Sequence, residues 1–153
     1  MRFTFAEAMT DPAYYAPLAQ AAEQAGFSGF TIPDSLAYPE QSDAKYPYTE
    51  DGDREFLEDK AFIETFIMAA ALGAVTSTIR FTPCVLKLPV RPPALVAKQA
   101  SSVAYLTGNR LALGVGTSPW PEDYDIMGVD FARRGKRMDE CMDIIAGLTT
   151  GEY

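Results

Sequence analysis

Apolar and polar positions recur along the chain with two periods, short β-rich runs and longer helical stripes, and their alternation predicts βαβ units around a parallel sheet. Residues 2–6 open the pattern as a first strand. A helix over residues 12–25 follows, with Asp11 as N-cap, Pro12 at the first position and Gly26 as terminator. Pro17 fits poorly in a helix interior, so that helix starts late or bends. Residues 27–33 form the second strand. Residues 36–58 are polar, rich in Tyr, Pro and Asp, and nearly aperiodic, as expected of a long functional loop. The second helix spans 59–72, stopped by Gly73, and the third strand spans 79–86. Pro92-Pro93 opens a third helix that ends near Leu106, and Gly108-Asn109 turns the chain into a fourth strand over 111–116. A loop over 117–129 leads to a fourth helix from about residue 131, with Met138, Met142, Ile145 and Leu148 as its core-facing stripe. Four consecutive β/α units are half of a (β/α)8 barrel of the TIM type, which takes roughly 250 residues. A doubly wound open sheet has the same order of elements.

Composition narrows the chemistry. The 153 residues are 48% hydrophobic, enough for one domain with a core. The formal net charge of −8 argues against nucleic acid and anionic membrane surfaces as partners. The longest apolar run, residues 66–75, is about half the ~20 residues that span a bilayer, and no secretory signal opens the chain. Two cysteines, Cys84 and Cys141, make neither a disulfide framework nor a zinc site, so no metal is expected and a cytoplasmic setting is. The chain contains no histidine, which excludes His-activated nucleophiles, His-ligated zinc and an imidazole base within it.

Among local motifs, Gly114-Val115-Gly116-Thr117-Ser118-Pro119 is no dinucleotide fingerprint, because Pro119 holds the third glycine position and no helix opens there. Those glycines mark either a strand end where backbone approaches a ligand closely or a tight turn. Glu50, Asp51, Asp53 and Glu55 lack the glycine a calcium loop needs, since Phe56 stands there. Arg133, Arg134, Lys136 and Arg137 read as a solvated face in preference to the alternative, an anion site, with Asp139 and Glu140 as partners. Asp34, just past the second strand, is placed either to bind a ligand or to cap a turn, and Glu7 stands likewise after the first. Cys84, inside the third strand, reads as a small buried hydrophobe.

In order, Ala22-Glu23-Gln24-Ala25-Gly26-Phe27, Pro33-Asp34-Ser35, Arg80-Phe81-Thr82-Pro83-Cys84-Val85-Leu86, Pro89-Val90-Arg91-Pro92-Pro93, Thr107-Gly108-Asn109-Arg110-Leu111 and Arg133-Arg134-Gly135-Lys136-Arg137-Met138-Asp139-Glu140 resemble the luciferase-like monooxygenase superfamily, particularly its branch using the deazaflavin coenzyme F420. The resemblance implies a (β/α)8 barrel, of which this chain would supply about the first four units. It implies F420, or alternatively FMN, as cofactor, with a cis peptide at Cys84–Val85 under the ring. Asp34 matches an acidic position at the ring, and Gly116, Thr117 and Ser118 match the loop lining the same pocket. Glu7, Ser35 and Tyr38 are the candidate contacts to a small-molecule substrate. Ser35 stands where several relatives carry histidine, and no carboxylate follows Gly116 until Glu122, so no catalytic residue is assigned. Relatives continue into four further units that usually hold the phosphate-binding residues. The implied activity is hydride transfer between F420 or FMN and a small organic substrate. The rival is a non-catalytic half-barrel, and its open sheet edges lead us to expect a homodimer or higher oligomer.

Overall fold

Three short strands run parallel in the order β1 (Thr4–Phe5), β2 (Gly29–Ile32), β3 (Arg80–Pro83) in the computed structural model, which describes residues 1–7, 9–47 and 49–150. β4 (Leu86–Lys87) and β5 (Val115–Gly116) pair parallel to each other, and a bridge between Phe81 and Leu111 joins the two pieces. Phe30, Ile32, Phe81 and Leu86 are fully buried, as parallel strands covered on both faces must be. The covering helices are α1 (Tyr15–Gln24), α2 (Thr65–Val75), α3 (Pro93–Leu106) and α5 (Arg134–Thr150), each packed on the next. A short α4 (Pro121–Met127) sits between β5 and α5.

Local sequence explains most of these boundaries. Asp11 caps a 3-10 turn over Pro12–Tyr14 by accepting from the Ala13 N–H at 2.8 Å. The α-helix therefore starts late, and Pro17 falls in its first turn, where the missing N–H costs nothing. α2 starts at Thr65 rather than at residue 59, because the Glu64 carboxylate caps it by accepting from the N–H groups of Phe66 and Ile67, both at 2.9 Å. Gly73 does not stop that helix. It lies buried inside it, where a Cβ would come within 2.3 Å of Cγ2 of Thr107, the C-cap residue of α3. The third strand divides at Cys84–Val85, and most of the fourth makes no ladder beyond the Leu111 bridge and β5.

Two readings of the C-terminal third change. The stretch 117–129 is not all loop: Pro121 at the helix start, Glu122 and Asp123 in the first turn and left-handed Gly128 (φ 65°) are start and stop signals for α4. On α5 the buried positions are Cys141 and Ile145, with Met138 packed beside them. Met142 and Leu148 flank this narrower face and are exposed, so the predicted stripe is only partly core.

Two polar stitches hold the helix ends to the sheet. The Arg110 guanidinium donates to the carbonyls of Gly73 (2.7 Å), Thr76 (3.1 Å), Ile79 (3.1 Å) and Thr107 (2.7 Å) and to Thr76 Oγ1 (2.9 Å). Its charge lies at the end of α2, where free carbonyls and the helix dipole favour a cation. Glu23 on α1 accepts from the N–H groups of Ser77 (3.0 Å), Thr78 (2.5 Å) and Ile79 (2.9 Å) and from the Thr78 hydroxyl (2.9 Å). Burial by itself raises its pKa, but the bonds from Thr78, Ile79 and Ser77 outweigh burial and lower it from 4.5 to about 2. A depressed carboxyl pKa stabilises the fold fully above pH 4.5 and loses that contribution as pH falls towards about 2. Glu23→Gln should therefore cost about 1–2 kcal/mol at neutral pH, after allowance for solvent screening. Urea midpoints measured from pH 7 to pH 2 should show a shallower acid limb for the variant; parallel curves would mean that the carboxylate carries no such load.

Candidate functional site

The C-terminal ends of β2, β3 and β5 meet at a cleft of about 650 Å³ whose lining includes Asp34, Cys84, Val85, Lys87, Gly116, Thr117 and Ser118, with Tyr46, Trp120 and Arg134 around them. Strand ends of this polarity are where parallel β/α folds gather ligand-binding residues. Six of the six positions expected at a cofactor, Asp34, Cys84, Val85, Gly116, Thr117 and Ser118, thus face one space.

The Cys84–Val85 peptide is cis. Both residues are exposed, although Pro83 and every residue from 86 to 90 are buried. Cys84 is therefore not the buried hydrophobe its place in an apolar strand suggested. Close packing requires both neighbouring glycines: a Cβ on Gly114 would lie 2.3 Å from the Pro83 carbonyl oxygen, and one on Gly116, itself in the cleft lining, 2.6 Å from Val85 Cγ2.

Beneath this shelf lie two buried ion pairs. Asp34 Oδ1 meets Arg91 Nη2 at 2.6 Å, and its Oδ2 accepts from the Lys87 backbone N–H at 3.1 Å. Arg91 Nη1 also approaches Glu64 Oε1 at 3.7 Å. The Lys87 ammonium lies 2.7 Å from Asp123 Oδ2, which also accepts from the Ser118 hydroxyl at 2.6 Å. Lys87 Nζ donates to Ser35 Oγ at 3.4 Å. The Tyr124 hydroxyl donates to the Thr117 carbonyl. Burial raises the Tyr124 pKa, partly opposed by Arg134, so the phenol stays a protonated donor. Asp34 and Ser118 are thus anchors of the cleft floor as well as lining residues. Sequence reading missed Lys87, Arg91 and Asp123. Their signal was present: two cations inside the apolar run Leu86-Lys87-Leu88-Pro89-Val90-Arg91 require buried carboxylate partners.

The three expected substrate contacts are dispersed. Ser35 and Tyr38 line a neighbouring pocket that shares Trp120 with the main cleft. Arg54 lies over the Tyr38 ring at 5.0 Å, and Tyr46 stacks on Trp120 with ring centroids 5.7 Å apart. The long loop over 36–58 is in this way pinned against the α4 side of the cleft. Glu7 lines neither space. Its carboxylate accepts from the N–H groups of Met9 (2.8 Å) and Thr10 (2.6 Å) and from the Tyr15 hydroxyl (2.7 Å), and holds the turn after β1. Burial, then that bond to Glu7, raises the Tyr15 pKa.

The basic run does not form one solvated face. Lys136 pairs with Glu140 at 3.7 Å in the open, but Arg137 Nε donates to the Pro89 carbonyl at 2.5 Å. Arg134 is half-buried and lines the cleft, with its guanidinium 4.0 Å from the Phe131 ring centroid. Among the described residues no His/Cys/Asp/Glu group could hold a metal ion, and no helix is long and apolar enough to cross a membrane.

Comparison with known proteins gives this arrangement a family. Residues 3–153 match the luciferase-like monooxygenase family. An uncharacterized protein of Mycobacterium tuberculosis is 69% identical over 153 residues, which make up 100% of this chain and 53% of the relative. The chain therefore spans about half the length of that curated relative. Among solved structures, the oxygenating constituent of 3,6-diketocamphane monooxygenase from Pseudomonas putida, in complex with FMN, superposes with a TM-score of 0.72 at 17% identity, over 95% of this chain and 38% of that one. The coenzyme F420 dependent tetrahydromethanopterin reductase from Methanopyrus kandleri superposes with a TM-score of 0.58 at 20% identity, over 85% of this chain and 30% of that one. At these identities the two structures establish the α/β fold alone. The family match over nearly every residue decides the assignment: the chain belongs to the luciferase-like monooxygenase family.

Proposed function

We propose that the cleft takes the ring of a flavin-type cofactor, F420 or alternatively FMN, for oxidation or reduction of a small organic substrate. The observation that carries this reading is the exposed Cys84–Val85 pair, an apolar shelf at a strand end between residues that are otherwise buried. The residues present fit such a group. The cleft volume of about 650 Å³ falls within the ~300–1,000 Å³ of small-molecule sites, and its lining combines apolar surface at Val85, Pro119 and Trp120 with polar groups from Thr117, Ser118 and Arg134. The FMN complex and the F420-dependent reductase among structural neighbours lend support to a flavin-type ligand. The bound cofactor would supply hydride transfer, the step side chains cannot perform. The chain's own part is positioning: Val85 and Cys84 support the ring, Thr117 and Ser118 border it, and the Asp34–Arg91 and Lys87–Asp123 pairs keep the floor rigid. The pocket with Ser35 and Tyr38 is the substrate side. With serine at position 35 and no histidine in the sequence, proton transfer there cannot use an imidazole of this chain.

Titration of the purified chain with F420 and with FMN, followed by flavin absorbance and fluorescence, should give saturable micromolar binding of one of them. A second reading, a non-catalytic half-barrel that self-associates, is favoured by the apolar groove of Ala100, Ala104, Leu111 and Leu113 beside exposed Tyr105 and Leu106. Binding of neither cofactor, together with a solution mass above the 16.7 kDa of one chain, would leave that second reading standing alone.

A further inference from the structure

We infer that Arg134 is the anion-binding residue of the cleft, and that the ligand resting on Cys84 and Val85 bears a phosphate or carboxylate group. The ligand's identity rests on the flavin-type reading above, but the anion site itself does not.

The charged residues lining the cleft are Asp34, Lys87 and Arg134. Asp34 is satisfied by Arg91 at 2.6 Å and Lys87 by Asp123 at 2.7 Å. Arg134 has no such partner: no carboxylate of a described residue lies within ion-pair distance of it. Its contacts are the Phe131 carbonyl, which accepts from Nη1 at 3.0 Å, and the Phe131 ring beneath the guanidinium. Those contacts fix the planar group and leave Nε and Nη2 as donors for a bidentate oxyanion. Thr117 lies on the same cleft wall, and it is its backbone carbonyl, not its hydroxyl, that accepts from Tyr124.

The placement is also costly without a ligand. Arg134 opens α5, and a cation in the first turn of a helix opposes the macrodipole. Departures from a local rule without internal compensation are characteristic of functional positions. In a chain with a net charge of −8, a half-buried cation without a carboxylate partner beside an apolar shelf selects ligands with an apolar body and an anionic end.

Trp120 is the single tryptophan and lines the cleft, so its fluorescence reports occupancy without any cofactor. Inorganic phosphate titrated into the wild-type chain should produce a saturable change at about millimolar concentration, weakened by added sodium chloride. Arg134→Gln should weaken it about 10-fold or more, and Arg134→Lys, which keeps the charge but loses the planar fork, should fall between the wild type and Arg134→Gln. FMN and riboflavin, which differ by one phosphate, distinguish the sources. Loss of about 10- to 100-fold in FMN affinity in Arg134→Gln with riboflavin unchanged assigns the anion to the cofactor. Equal FMN and riboflavin affinities, with an Arg134-dependent phosphate response, assign it to the substrate. No saturable phosphate response in the wild type, or the same response in Arg134→Gln, overturns the inference. A phosphate response that needs Arg134 in a chain that binds neither F420 nor FMN sustains the inference and sinks the flavin-type reading alone.

Discussion

Replacing Asp34 by alanine should lower folding stability by about 3–5 kcal/mol, the range for removing one member of a buried ion pair. The side chain is 1% exposed and that of its partner Arg91 12%. Without the carboxylate, the Arg91 guanidinium keeps only Glu64 at 3.7 Å among the described residues, where its Nε already has no hydrogen-bond partner. The Lys87 N–H, which donates to Asp34 Oδ2, loses its acceptor as well, adding the desolvation cost of a buried donor. Asp34→Asn keeps an acceptor of similar shape and should cost less, about 1–3 kcal/mol. The double variant Asp34→Leu with Arg91→Met removes both charges and should recover most of the loss, since the attraction within a buried pair barely repays its desolvation. Urea unfolding of the four proteins checks the series. A shift below about 1 kcal/mol for Asp34→Ala would mean that the carboxylate is not committed to Arg91 and stands free for a ligand.

This series separates two roles that sequence could not. Asp34 was legible as a strand-end carboxylate because Phe30-Thr31-Ile32-Pro33 precedes it, but the same position suits a ligand contact and a structural anchor. Its partner lies 57 residues away, and long-range pairing leaves no local trace. Cys84 and Val85 show a related limit. An apolar run marks a strand, yet the run does not say at which residue the strand breaks or which side chains emerge. The resemblance to a known family supplied that break. Arg134 looked like one of four solvated cations because spacing alone cannot tell which member of a basic run faces a cleft. By contrast, Asp11, Pro12, Gly26, Pro93, Gly108 and Asn109 set element boundaries through backbone chemistry of their own, and the structure places boundaries there. α4 carries signals of the same kind in Pro121, the acidic pair after it and Gly128, yet the sequence reading took 117–129 as a loop. Its brevity, 7 residues, hid it among turn-forming neighbours.

The second large effect should come from Gly114, where substitution meets backbone rather than a yielding side chain. A Cβ there would stand 2.3 Å from the Pro83 carbonyl oxygen and 3.0 Å from Thr82 Cγ2. Neither obstacle moves freely, because Pro83 belongs to β3 and is itself buried. The Gly114 carbonyl also accepts from the Leu86 N–H at 2.8 Å, at the start of β4. Relieving the clash must push the 111–116 segment away from the β3–β4 junction and stretch that bond. Gly114→Ala should cost about 2–3 kcal/mol and Gly114→Val more, at the upper end of overpacking. The Leu86 amide should lose hydrogen-exchange protection before the Phe30 amide in the centre of the sheet does. Gly135 is the internal control. Nothing lies within 4 Å of a Cβ added there, so Gly135→Ala in α5 should be neutral or stabilise by up to about 1 kcal/mol. The consequence reaches the cleft, because Gly116 follows two residues on and touches Val85 wherever a Cβ would be. A displaced β5 would move Thr117 and the Val85 shelf apart, so ligand affinity should fall together with stability in Gly114→Ala. In Asp34→Asn, where the shelf keeps its backbone support, affinity should change less than stability. If Gly114→Ala instead unfolds like the wild type, the tight approach of β5 to Pro83 is not what seats the cleft, and the glycine pair reverts to a simple turn.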